Sequence, residues 1–112
     1  MELSLNQRGD AAVVTVEEAR IDAVAAIRFK DAMRELVPDD AVRVILDLGK
    51  VEFIDSSGLG AIVSVMKALG DGRALELAAM QPNVDRVFRL TRMDTVFPIH
   101  ATVSDAVSDH AS

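Results

Sequence analysis

The residues most able to do chemistry stand together between Asp55 and Gly60, in the run Asp-Ser-Ser-Gly-Leu-Gly. This run joins an apolar, strand-like segment, residues 44–48, to a helix-like segment, residues 59–69. The start of a helix carries free backbone N–H groups and the positive end of the helix dipole, which suit an anion. A serine at this point is therefore a helix cap, a phosphate neighbour or a site of phosphorylation. Because Asp and Ser cap helices in any α/β protein, the run alone is also compatible with a purely structural role.

Sequence motifs of common enzymes are incomplete in this chain. Gly58 and Gly60 match the first two glycines of a dinucleotide-binding loop, but the third is missing. A phosphate-binding P-loop would need lysine where Leu59 stands, and a nucleophile elbow would need a glycine two residues before its serine. We therefore predict that the chain is not an enzyme and holds no cofactor.

The remaining titratable residues do not predict a metal or catalytic centre. The two histidines, His100 in a late strand and His110 near the end, are predicted to be surface residues. The carboxylates are scattered over helix faces and turns rather than set at metal-ligand spacing. The acidic residues around the first helix are most simply a solvated face: Asp31, Glu35, Asp39 and Asp40.

Length, charge and composition limit the function classes. With 112 residues, the chain is predicted to form one domain over residues 1–112, with a core over about 2–107 and a flexible tail at 108–112. A net charge of −6 argues against binding nucleic acid through phosphate contacts. There is no cysteine, no signal peptide and no apolar run of 18 residues, so we expect a cytoplasmic protein that does not insert into membranes.

Strand-like and helix-like segments alternate along the chain. Two leading strands, 3–5 and 11–16, flank a turn at residues 7–10 and predict a hairpin. Later strands separated by helices imply parallel neighbours. The predicted later strands are 42–48, 75–80 and 96–103, with Pro98 marking an edge, and the predicted helices are 24–37, 59–69, 82–90 and 104–107, the last capped by Ser104-Asp105.

Apolar residues spaced by three and four predict which side of each helix faces the core. The inward positions predicted for the first three helices are Ala25, Phe29, Met33 and Leu36; Leu59, Ile62, Val63, Met66 and Leu69; and Val84, Val87, Phe88 and Leu90.

The segment from Val51 to Gly60, preceded by the strand at 44–48, resembles the signature of the STAS domain, in particular of the bacterial anti-sigma factor antagonists. The similarity covers almost the whole chain. It implies a single α/β STAS domain, with a mixed, mostly parallel sheet of about five strands and about four helices. The chain departs from the family's usual Gly-Glu before Ile21-Asp22, where it has Ala19-Arg20, and this leaves the local loop geometry open.

The resemblance also implies a function and a set of site residues. In that family the serine directly after the aspartate accepts a phosphate, and this position is Ser56 here. Asp22 matches an acidic residue beside the phosphorylation loop. The residues implied in the loop and in partner docking are Asp22, Asp55, Ser57, Gly58, Leu59 and Gly60.

The implied partners define a switching cycle. The unphosphorylated protein would bind an anti-sigma factor that is also a serine kinase and thereby release a sigma factor. Phosphorylation of Ser56 would end that complex, and a PP2C-type phosphatase would reset it.

Two other functions use the same features differently. STAS domains also serve as cytoplasmic subunits of membrane transporters such as lipid ABC systems, where the loop would dock on an ATPase or permease. A small nucleotide-binding domain would use the same helix start. The intact Asp-Ser-Ser run favours phosphorylation over the transporter role, and titration with nucleotides would test the third function.

Overall fold

The computed structural model describes residues 1–111, with side chains described through residue 108. Seven strands and four helices follow one another within this part of the chain. Their order is β1 (Leu3–Arg8), β2 (Ala11–Val16), β3 (Arg20–Ile21), α1 (Ala23–Leu36), β4 (Arg43–Asp47), β5 (Phe53–Ile54), α2 (Ser56–Leu69), β6 (Ala74–Ala78), α3 (Pro82–Leu90), β7 (Ile99–His100) and α4 (Val103–Ala111).

The main sheet has five strands in the order β1-β2-β4-β6-β7. Only the β1–β2 pair is antiparallel, and it is the predicted hairpin, closed by Gly9 at a φ of 62°. The other three pairs are parallel, as the helical connections predict. The expected fold class, a mixed and mostly parallel five-stranded sheet with four helices, is confirmed.

The two faces of the sheet are covered unequally. Helices α1, α2 and α3 pack on one face and form the main core around Phe29, Ile62 and Phe88, each fully buried. Helix α4 covers the other face, where Ala106 lies in a smaller apolar cluster with Val13. The strands in the middle of the sheet are therefore buried on both sides, as the nearly continuous apolar run at 42–48 predicts.

Several predictions near the carboxyl terminus are wrong. Leu90 is 77% exposed rather than inward, because α3 ends there. The strand predicted over 96–103 is reduced to β7, because Val96 ends the preceding 3₁₀ turn with a helical backbone and α4 begins at Val103. Pro98 does immediately precede β7 at the sheet edge, as predicted.

The final helix also begins and ends differently from the prediction. The Thr102 hydroxyl, rather than Ser104 or Asp105, caps α4 by accepting a hydrogen bond from the Asp105 N–H at 2.9 Å. The helix runs beyond residue 107 to Ala111, so the predicted tail at 108–112 overlaps it. Residue 112 lies outside the described residues, as does the side chain of His110, and the flexibility of the tail stays a prediction.

The helical faces are predicted better in α1 than in α2. Phe29 and Met33 are buried as predicted. In α2 the buried side is centred on Ala61, Ile62 and Val65, whereas four of the five predicted inward residues are only half-buried. Those half-buried residues are Leu59, Val63, Met66 and Leu69.

A cluster of charged side chains lies between the sheet and α4. Glu76 accepts two hydrogen bonds from Arg43, one of them at 2.8 Å, and lies 2.7 Å from His100. Arg43 also donates to the backbone carbonyl of Ala106. The prediction that His100 is a surface residue is wrong, since its side chain is only 12% exposed. Burial raises the pKa of Glu76, but the hydrogen bonds from Arg43 and His100 outweigh it and hold the pKa below its ordinary value.

Candidate functional site

Two short parallel strands bring the two parts of the candidate site together. β3 pairs with β5, with Arg20 opposite Phe53 and Ile21 opposite Ile54. The next residue in each chain segment is an aspartate that begins a helix. Asp22 and Asp55 therefore stand side by side at the amino-terminal ends of α1 and α2.

Both aspartates cap their helices in the same way. The Asp22 carboxylate accepts a hydrogen bond from the Ala25 N–H at 3.1 Å, and the Asp55 carboxylate accepts one from the Gly58 N–H at 2.9 Å. Each cap satisfies one of the N–H groups that a helix start leaves without an intrahelical partner. Because Asp55 is the N-cap, α2 begins at Ser56, three residues earlier than the predicted 59–69.

Ser56 and Ser57 are the first two residues of α2, and both are exposed. Ser57 is thus a first-turn residue of α2, and Asp55 is the N-cap. Within the described residues, no hydrogen bond engages the backbone N–H of either serine. Two donors and the positive end of the helix dipole are therefore available where a phosphate on Ser56 would stand.

Gly58 and Gly60 have opposite surroundings although both lie in the first turns of α2. Gly58 is buried, and a Cβ added there would lie 2.1 Å from the carbonyl oxygen of Ile21. Gly60 is exposed, and a Cβ there would meet nothing within 4 Å. The close approach of Gly58 allows α2 to start directly against β3.

A cation lies beside the loop. The Arg20 guanidinium is 4.4 Å from the centre of the Phe53 ring and 3.6 Å from the Asp22 carboxylate. The hydrogen bond from Ala25, and then the charge of Arg20, lower the pKa of Asp22. The unusual Ala-Arg before Ile21-Asp22 thus leaves the β3 pairing and the Asp22 cap in place.

The sequence did not lead us to predict β3, β5 or the contact of Arg20 with Phe53. One signal was present, because Ile-Asp occurs twice before a helix, at Ile21-Asp22 and at Ile54-Asp55. The backbones of the two aspartates are nearly the same, with φ and ψ of −106° and −171° at Asp22 and −109° and −174° at Asp55.

Residues of α2 at and beyond the loop are accessible to different degrees. Leu59 is half-buried, whereas Ser64 and Lys67, farther along α2, are exposed. Residues 1–108, whose side chains are described, contain no group of three acidic or histidine side chains placed to hold a metal. No helix in the same part of the chain is long and apolar enough to cross a bilayer.

A family model described as the STAS domain matches residues 2–106. The anti-sigma-F factor antagonist RsfB of Mycobacterium tuberculosis is 27% identical over 88 residues, covering 79% of this chain and 72% of that protein. An anti-sigma-B factor antagonist of Listeria monocytogenes is 29% identical over 80 residues, covering 70% of each protein. The crystal structure of an anti-sigma factor antagonist from Mycobacterium paratuberculosis has a TM-score of 0.87 and 28% identity, covering 99% of this chain and 94% of that one.

Proposed function

This chain belongs to the STAS domain family, and we propose that it is an anti-sigma factor antagonist that is switched off by phosphorylation of Ser56. Similar proteins that carry the antagonist name support the general role. In this role Ser56 is the phosphate acceptor, and the chain has no catalytic role of its own. It acts as the substrate of a partner kinase.

The position of Ser56 carries the proposal. Its side chain is exposed at the first residue of α2, so a kinase can reach the hydroxyl without unfolding the domain. A phosphate adds a charge of about −1.5 to −2 at pH 7. The free N–H groups and the dipole of α2 offset that charge within the domain, so the fold tolerates it.

The phosphate charge would lie on the surface that the partner contacts. Asp22 and Asp55 already place two carboxylates next to Ser56, at the starts of the neighbouring helices. A partner surface complementary to a neutral hydroxyl there loses its fit once the phosphate is added. The switch is therefore a local electrostatic and steric change and needs no refolding.

The partners in this proposal are an anti-sigma factor with serine-kinase activity and a PP2C-type serine phosphatase, acting in the cytoplasm. The docking surface consists of the 55–60 loop, Arg20 to Asp22, and the exposed side of α2 at Ser64 and Lys67. These residues form or follow the paired strands β3 and β5, or lie on the helix that begins after β5, so one partner surface can contact those that are exposed.

Capture from native cells followed by phosphopeptide mapping tests the proposal. The wild-type chain should retain an anti-sigma factor kinase and, with ATP, become phosphorylated at Ser56. Ser56→Ala should remove the modification, and Ser57→Ala should leave it. Modification confined to Ser57 would overturn the assignment, and capture of a transporter ATPase or permease in place of a kinase would favour the transporter role.

A further inference from the structure

A groove of about 360 Å³ lies between α1 and α2, toward their carboxyl-terminal ends. Its volume is in the range of small-molecule sites. The apolar lining comes from both helices and the residue after α1, with Met33 and Val65 buried and Val37 and Leu69 half-buried. The groove is separate from the phosphorylation loop, which lies at the amino-terminal ends of the same two helices.

Three cations line this groove in a chain whose net charge is −6: Lys30, Arg34 and Arg73. Arg73 is held in place, since its Nε donates to the Ala41 carbonyl at 2.7 Å and its Nη2 donates to the Pro38 carbonyl at 2.9 Å. Lys30 is half-buried and makes no hydrogen bond or ion pair with any described residue. Its ammonium group is therefore available to pair with an anion in the groove.

The acidic groups around the groove limit the charge of that anion. Arg34 is paired with Asp31 at 3.1 Å, and Asp39 is the acidic residue among the lining side chains. Two carboxylates against three cations leave one positive charge, which complements a monoanion. None of the four phenylalanines lines the groove, so it offers no ring on which a nucleotide base could stack.

We propose that this groove binds a small amphipathic carboxylate, a medium-length acyl chain whose tail lies on Met33 and Val65 and whose carboxylate lies at Lys30 and Arg73. Burial of the tail supplies most of the affinity. The cations supply the preference for a charged head group. This site goes beyond partner switching and does not depend on it.

Decanoate below its micelle concentration is the probe, followed by amide chemical shifts of the labelled protein and by calorimetry. We expect saturable binding with shifts concentrated at 30–37 and 64–73. Decanol, which has the tail without the charge, and acetate, which has the charge without the tail, should each bind much more weakly. Lys30→Ala should weaken decanoate binding about fivefold to tenfold, and Ala68→Leu, which fills the groove from the surface of α2, should reduce it further.

Arg28→Ala is the matched control, because it removes one exposed cation from the same helix outside the groove. It should bind decanoate as the wild type does. Equal weakening by Arg28→Ala and Lys30→Ala would overturn the proposal, because the effect would then be a general one of net charge. Equal affinity for decanol and decanoate would overturn the carboxylate assignment, and absence of saturable binding would overturn the site.

Discussion

A Cβ added to Gly58 would lie 2.1 Å from the carbonyl oxygen of Ile21. The same atom would lie 2.9 Å from side-chain carbons of Ile21 and Ile54, the two residues paired across β3 and β5. The start of α2 therefore rests on the two short strands that hold Asp22 and Asp55 side by side. Glycine at this position sets the distance between the halves of the site.

We expect Gly58→Ala to destabilise the domain by about 3 kcal/mol, because the backbone of β3 or of α2 must move to relieve the contact. Gly60→Ala is the matched control in the same helix, and it meets open space. It should stabilise the domain by up to about 1 kcal/mol, since alanine is the better helix former. Urea unfolding of both variants measures the difference, and similar stabilities for the two would contradict the close packing of α2 against β3.

The second prediction concerns charge at the first residue of α2. Ser56→Asp and Ser56→Ala should both fold with nearly wild-type melting temperatures, because the side chain is exposed and an acidic residue suits a helix start. Ser56→Asp should bind the kinase partner at least tenfold more weakly, whereas Ser56→Ala should bind and stay bound.

Calorimetry with the purified partner is the measurement for these two variants. Ser104→Asp places the same charge on α4, on the opposite face of the sheet, and should bind like the wild type. Equal affinity of wild type and Ser56→Asp would rule out the charge switch.

The third prediction tests the extent of the docking surface. Lys67→Glu reverses an exposed charge on α2, and Asp22→Asn removes a charge while keeping a side chain that can cap α1. Both should weaken the complex with little change in melting temperature. Asp22→Lys should weaken the complex as well, but it also removes the cap and is the less clean variant.

Amide exchange with and without the partner maps the same surface independently. Protection should appear at residues 55–60 and along the exposed side of α2, and Arg86→Glu on α3 should leave affinity unchanged. Protection confined to α3, with none at the loop, would refute this surface and favour the transporter role.

The fold was predictable where a periodic pattern extends over many residues. The spacing of Phe29 and Met33 predicted α1 and its buried side, and the apolar run at 42–48 predicted a strand covered on both faces. Leu90 shows the limit of such patterns. The apolar spacing of a helix can continue into its last turn even where that turn no longer packs on the core. β3 and β5 have two residues each, too few to form a pattern, and only the repeated Ile-Asp hinted at them.

The position of the candidate site in the sequence was predictable, but its three-dimensional arrangement was not. The run from Asp55 to Gly60 identified the start of α2. The role of Gly58, however, depends on its contact with Ile21, which is distant in the sequence. The charged cluster under α4 was missed for a similar reason. Arg43 and Glu76 are 33 residues apart, and nothing local in either strand indicates that the two side chains meet.

The last prediction concerns that cluster and its dependence on pH. Glu76→Gln should destabilise the domain by about 3–5 kcal/mol near neutral pH, because it removes the negative charge that pairs with the buried Arg43 guanidinium. The pKa of Glu76 is lowered in the folded state, so the unfolded chain takes up the proton first as pH falls. The stability from Glu76 is therefore fully present above its ordinary pKa of 4.5 and is lost as pH falls below that value. Urea unfolding from about pH 7 to about pH 3 should show the difference in unfolding free energy between wild type and Glu76→Gln narrowing below pH 4.5.

Glu35→Gln, which changes an exposed carboxylate on α1, is the matched control, and its unfolding free energy should stay within about 0.5 kcal/mol of wild type near neutral pH. A gap between wild type and Glu76→Gln that stays constant over the whole range would show that the charge of Glu76 does not stabilise the fold.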